Sequence, residues 1–295
     1  MERSSPLSWL GAMPVIFVGI WSTGFIVARY GMPNSPPFAF LWLRFAFSIL
    51  CFLPWIWISK VPWPSDKKQW LHLGVTGIFL QAGYLGGVWS AVKGGMGSGL
   101  SALIVGLQPV LTAIWLSSQG GQVTRRQWLG LLLGFVGLSM VVSHKLEGGI
   151  EVTPLSLSMA FMALAAITIG TLYQKQFVKP CDVRTASSVQ LMAAWLVTLP
   201  LAMVETESIQ WNHQMLYAMA WSVLCLTLGG SSLFYMLIQR GAAASVTSLM
   251  YLVPPTTAVL ALILFGETMT WVTLLGILVT ALGVSLVVRQ PKIDA

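Results

Sequence analysis

GMGSGLSALIVGLQP at residues 95–109 returns as GAAASVTSLMYLVPP at residues 241–255, and this recurrence decides the fold. The offset is 146 residues. Carried onward without a gap, it pairs Gly130 with Gly276 and Gly137 with Gly283, and 95–143 against 241–289 gives 13 identities in 49 positions. Carried backward, it pairs Gly24 with Gly170 and Arg29 with Lys175. A period this long is no solenoid unit; solenoid periods run to about 50 residues. It is half of a 295-residue chain. In a membrane chain such duplication points to a transporter built from two repeats, with its substrate held between them.

Composition puts the chain in a bilayer. Hydrophobic residues make up 56%, charged residues 8%, and the mean hydropathy is +0.78. A soluble domain carries about 25% charge, so this chain cannot clothe a water-facing surface. Cys51, Cys181 and Cys225 form no spacing motif, which argues against a disulfide framework or a zinc site. The net charge of +7 comes without a basic patch, so no nucleic-acid partner is expected.

A membrane span needs roughly 20 mostly apolar residues. Ten such stretches are predicted, near 9–29, 36–58, 70–92, 97–118, 127–143, 155–173, 185–203, 214–238, 242–265 and 270–288. The connections are short and rich in turn formers, such as Pro33-Asn34-Ser35-Pro36-Pro37 and Gly120-Gly121. The expected fold is an all-α membrane protein of ten transmembrane helices. Residues 1–146 would form one five-helix repeat and residues 147–295 a second. Five is odd, so the second repeat would be inverted relative to the first. With the amino terminus in the cytoplasm, twelve of the sixteen Lys and Arg residues fall on the cytoplasmic side. Only Arg29, Lys93 and Lys145 fall at outer ends, and Arg44 lies within a span. The bias follows the positive-inside rule and predicts both termini cytoplasmic. Arg3 before an apolar run resembles a leader, but the run is long, lacks a small-residue cleavage site and has a partner in the second half.

Several segments resemble the EamA family of the drug/metabolite transporter superfamily. Trp21-Ser22-Thr23-Gly24-Phe25-Ile26-Val27-Ala28-Arg29 is similar to the family's Trp-Gly-Ser-Asn-Phe pattern with its following cation, and Pro36 to Arg44 is similar to its Pro…Arg signature. Gly95 to Pro109 and Gly241 to Pro255 resemble its small-residue fourth and ninth spans, and Gly266-Glu267…Gly276…Gly283 its closing motif. The resemblance covers nearly the whole chain. Two departures stand out: Gly120-Gly121 replaces a Gly-Glu pair, and Gln190 stands opposite Arg44. The resemblance implies a transporter in the bacterial inner membrane, more often an exporter than an importer, with amino acids and related compounds the commonest substrates.

No Asp or Glu falls inside a predicted span. Embedded carboxylates are the usual proton carriers, and the related small multidrug transporters depend on a first-span Glu that this chain lacks. Arg44 sits about eight residues into its span, roughly 12 Å deep at 1.5 Å per residue. It reads either as an anchor for a substrate carboxylate or as a clamp on carbonyls at a neighbouring broken helix. Arg29 and Lys175 read as snorkelling cations, and His72, His144 and His213 as interfacial residues. Pro109, Pro254 and Pro255 read as helix breaks that shape or gate the pocket, with Gln108, Ser248 and Tyr251 beside them. Trp21, Gln81, Tyr84, Trp89, Tyr173 and Tyr235 complete the candidate pocket, against an alternative of interfacial belts and core packing. The substrate-binding set is thus Trp21, Arg44, Gln81, Tyr84, Gln108, Tyr235 and Tyr251. Spans one, two, three, four, six, eight and nine are expected to line the cavity.

The glycine pairs Gly83/Gly87 and Gly130/Gly134 allow close helix contact, within one chain or across a dimer, so a monomer or weak homodimer is expected. No catalytic set, metal cluster, nucleotide loop or cofactor motif is present. The reading is a secondary transporter that exports a small metabolite, foremost an amino acid or related compound, by alternating access. A channel-like facilitator for a small solute is the alternative, and an intramembrane enzyme would need clustered polar catalysts that the sequence lacks.

Overall fold

The structure is a computed structural model that describes residues 9–118, 124–147, 152–239, 252–267 and 269–288. Among these residues there is helix and no strand. In chain order the helices are α1 (Trp9–Gly31), α2 (Pro37–Ile58), α3 (Lys67–Gly77, a π-helical turn Ile78–Gly83, then Tyr84–Lys93), α4 (Ser98–Val105), α5 (Gln108–Ser118), α6 (Arg125–Glu147), α7 (Pro154–Phe177), α8 (Val183–Val204), α9 (His213–Trp221, a π-helical stretch Ser222–Ser231, then Ser232–Gln239), α10 (Val253–Phe265) and α11 (Trp271–Val288). Six helical stretches are long and apolar enough to cross a membrane, and Ser98–Thr112, Trp128–Val141, Val253–Phe265 and Trp271–Gly283 are shorter apolar helices. Their outward surfaces are apolar, with Trp57, Ile263, Trp271 and Leu282 exposed. Such a skin suits lipid rather than water.

Local signals set the helix starts. Asp66, Asp182 and Asn212 cap α3, α8 and α9 through their side chains, and Thr153 with Ser156 forms a reciprocal capping box on α7. Ends of several connections meet at one end of the bundle. There Lys93 bonds the Met32 carbonyl and Glu207 (2.5 Å), and Asn34 bonds Gln214 and Asn212. At the opposite end Gln69 bonds the backbone of Lys179 in both directions.

Glycine sets how closely helices approach. A Cβ on Gly77 of α3 would lie 2.2 Å from the Gln190 carbonyl oxygen of α8. One on Gly87 would lie 2.6 Å from the Met159 carbonyl of α7. α6 and α11 pack in the same way, since a Cβ on Gly137 would meet the Gly276 carbonyl at 2.6 Å and one on Gly283 the Gly134 nitrogen at 2.5 Å. The glycines of these two helices therefore serve a contact within the chain.

The prolines differ from expectation. Pro109 is the second residue of α5, and Pro254 and Pro255 open α10. In the first turn of a helix a proline forfeits no hydrogen bond. The interruption in the first half lies just before Pro109, at the Gly106-Leu107 turn. Pro254 packs onto that turn, its Cγ 2.6 Å from where a Gly106 Cβ would stand. The two proline sites thus meet each other in a small cleft with Leu103, Ile277 and Thr280.

Candidate functional site

A cavity opens where α1, α2, α3, α7, α8 and α9 converge. Trp21, Arg44, Gln81, Tyr84 and Tyr235 line it, joined by Trp89, Gln174, Gln190, Ser231 and Phe234. Arg44 is 2% exposed. Its Nε donates to Thr227 Oγ1 at 3.0 Å, and its guanidinium carbon lies 5.9 Å from the Trp89 ring centre. Among the described residues no acid lines this cavity. Its apolar wall is a layered aromatic stack. Trp21 lies parallel to Tyr84, at 3° and 6.1 Å, and against Phe234 at 5.2 Å.

Both π-helical stretches feed this cavity. Ile78–Gly83 brings Leu80 and Gln81, and Ser222–Ser231 brings Leu226, Ser231 and the Thr227 that holds Arg44. A π turn inserts one residue and re-aims the side chains beyond it, and such turns concentrate at functional sites. The 146-residue offset relates the two stretches and also pairs Arg44 with Gln190, Gln81 with Thr227, and Trp89 with Tyr235. The cavity is therefore built from equivalent positions of the two halves, with one cation on one side and an amide on the other.

Not every predicted residue comes to this place. Gln108 faces α7, where its Nε2 donates to Thr171 Oγ1 at 3.0 Å. Pro254 and Pro255 belong to the separate cleft, and Pro109 lines neither it nor the cavity. Tyr173 bonds His72 at 2.8 Å near the Gln69 end. Tyr251 and Ser248 lie outside the described residues. The fourth and ninth spans do not line the cavity through their described residues; the sixth, α7, does as expected through Ile167 and Gln174, and the seventh, α8, joins it through Gln190. Sequence reading missed Gln174, Ser231 and Phe234. Gln174 sits among polar neighbours, Tyr173, Lys175 and Gln176, so its sequence context does not single it out. The π turns leave no sequence signature.

Arg29 does not simply snorkel. It pairs with Glu267, and its guanidinium carbon stands 4.9 Å from the Phe265 ring centre. Glu267 also accepts from Ser98 N (3.1 Å) and Ser98 Oγ (3.0 Å), capping α4. Gly266, at φ +62°, ends α10 in the left-handed turn that delivers Glu267 to this position. Nearby, Glu205 accepts from Phe38 N (3.0 Å) and Ala39 N (2.8 Å) at the start of α2. One end of the bundle is thus tied across the two halves by three carboxylates, Glu205, Glu207 and Glu267.

A chain of apolar helices closed around a cation-bearing cavity has the plan of a membrane transporter. The EamA-like transporter family model matches residues 9–143 and again residues 155–289, with both ends of the two matches separated by the same 146-residue offset, and the chain belongs to that family. Among its relatives, an Escherichia coli (strain K12) protein named an uncharacterized inner membrane transporter, YedA, is 23% identical over 95% of this chain and 90% of its own. A Salmonella typhimurium protein named a probable amino-acid metabolite efflux pump is 23% identical over 92% of each. The Bacillus subtilis transporter YvbV is 25% identical over 98% of this chain and 95% of its own. A solved protein structure shares the fold with a TM-score of 0.69, at 15% identity, over 93% of this chain and 95% of that one.

Proposed function

We propose that the protein is a secondary transporter of two inverted five-helix repeats, residues 1–146 and 147–295, with both termini cytoplasmic. It exports a small metabolite, an amino acid or related compound, across the bacterial inner membrane by alternating access. The observation that carries this reading is the pairing of cavity residues across the 146-residue offset, Arg44 with Gln190 and Trp89 with Tyr235. A site at the join of two equivalent halves is where rocking of one half against the other exposes it to each side in turn. The match of the family model to each half and the relative named for amino-acid metabolite efflux support the same reading.

Counterflow tests it. Proteoliposomes preloaded with a candidate solute should transiently accumulate labelled solute against its gradient, with saturable kinetics. Linear, non-saturating flux without counterflow contradicts a carrier and favours an open pathway. A tolerance screen of overproducing cells against toxic amino acids and analogues supplies the solute.

A further inference from the structure

We propose that the cavity selects its cargo by a carboxylate and makes no use of an ammonium, so that the substrates are net-anionic small carboxylates with a flat apolar body. This rests on the transporter reading above and, of its two cargo classes, keeps the related compounds that lack the amino acid's ammonium.

Charge is the first argument. Among the described residues Arg44 is buried with no counter-ion, and its hydrogen bonding ends at Thr227. Each acid whose side chain is described has another role or lies elsewhere. Asp66 caps α3, Asp182 pairs with Arg184, Glu205 caps α2, Glu207 pairs with Lys93, and Glu267 pairs with Arg29. A desolvated guanidinium whose charge is not balanced carries a standing penalty that a bound anion reduces. A bound cation adds to it.

Donors are the second argument. Gln174 and Gln190, 3% and 5% exposed, both line the cavity, and the Nε2 of each is buried with no hydrogen-bond partner among the described residues. With the guanidinium fork they make a donor set from three helices around one space. A carboxylate has about four lone-pair sites, two suited to the Arg fork and the rest open to amide N–H groups. An ammonium, which has donors only, satisfies none of them.

Shape is the third argument. The parallel Trp21 and Tyr84 rings with Phe234 present flat apolar faces beside the donors. They suit a planar group attached a short distance from the carboxylate.

Four ligands of one skeleton test the proposal on the purified full-length protein in detergent, by calorimetry. They are 3-phenylpropionate (anion), L-phenylalanine (zwitterion), 3-phenylpropionamide (neutral) and phenethylamine (cation). The expected result is 3-phenylpropionate at least tenfold tighter than phenylalanine or the amide, and no binding of phenethylamine. Arg44→Gln should erase the preference for the carboxylate over the amide. Gln174→Leu and Gln190→Leu should each weaken 3-phenylpropionate several-fold and leave the amide little changed, which keeps the test open if Arg44→Gln does not fold. Equal or tighter binding of phenylalanine, binding of the amine, a carboxylate preference that survives these variants, or no binding of any of the four overturns the proposal. If it falls while saturable counterflow of another solute persists, the transporter reading stands without it.

Discussion

Replacing Gly77 with alanine adds one methyl group where α3 crosses α8. The new Cβ would stand 2.2 Å from the Gln190 carbonyl oxygen and 2.5 Å from its Cα, against an ordinary contact of 3.4–4 Å. Both obstacles are backbone atoms, so no rotamer change relieves them. The helices must part by about 1 Å at the crossing, and overpacking of this kind costs about 1–3 kcal/mol. At about 2–4 °C per kcal/mol for chains somewhat shorter than this one, the melting temperature should fall by several degrees. The shift also moves Gln190, so affinity for 3-phenylpropionate should drop in the molecules that remain folded. Gly19→Ala is the matched control. Nothing lies within 4 Å of a Cβ there, and the helix gains up to about 1 kcal/mol of propensity. Thermal melts in one detergent compare the two variants with the parent. Equal stability of Gly77→Ala and Gly19→Ala would refute the crossing as described.

The tie at Glu267 predicts a graded series. Glu267→Gln keeps an acceptor for Ser98 and loses the ion pair, whereas Glu267→Ala also uncaps α4, a loss of about 0.5–2 kcal/mol, and melts should rank them in that order. Gly137→Leu or Gly276→Leu should separate α6 from α11 and sharply lower the yield of monodisperse protein, read by size-exclusion chromatography, because each side chain would enter the partner's backbone. Hydrogen bonds from Arg184 hold the Asp182 carboxyl below the usual carboxylate range. That stabilisation is complete above the unfolded value of about 3.9 and is lost as pH falls through the lower folded value. The stability gap between the parent and Asp182→Asn should therefore be constant near neutrality and shrink in acid, as pH-dependent melts would show.

Much of this architecture is legible in the sequence because lipid imposes simple rules. Apolar runs of span length mark the helices, and the 146-residue offset aligns the halves. Arg44 stood out because a deep charge needs a reason, and Trp21, Gln81, Tyr84 and Tyr235 share its cavity. A proline inside an apolar run reads as a kink; Pro109 and Pro254 sit in first helical turns, and the interruption in the first half lies at Gly106-Leu107, just before Pro109. Gln108 followed them away from the cavity. Gln190 was visible only as the residue opposite Arg44, and its approach to the site depends on Gly77, a contact across 113 positions that no local pattern encodes. The π turns at Ile78–Gly83 and Ser222–Ser231 are likewise products of packing, not of composition. Arg29 looked like a span-end cation because its partner, Glu267, lies in the other half.

The central claim is that one cavity between the two halves opens to each side of the membrane in turn. Ser231→Cys, in a protein whose Cys51, Cys181 and Cys225 are replaced by serine, puts a single thiol on the cavity wall. A membrane-impermeant thiol reagent is then applied to right-side-out and to inside-out vesicles. The account predicts labelling from both faces, suppressed on both by saturating transported solute. Labelling from one face alone, or labelling that the solute leaves untouched, would contradict it.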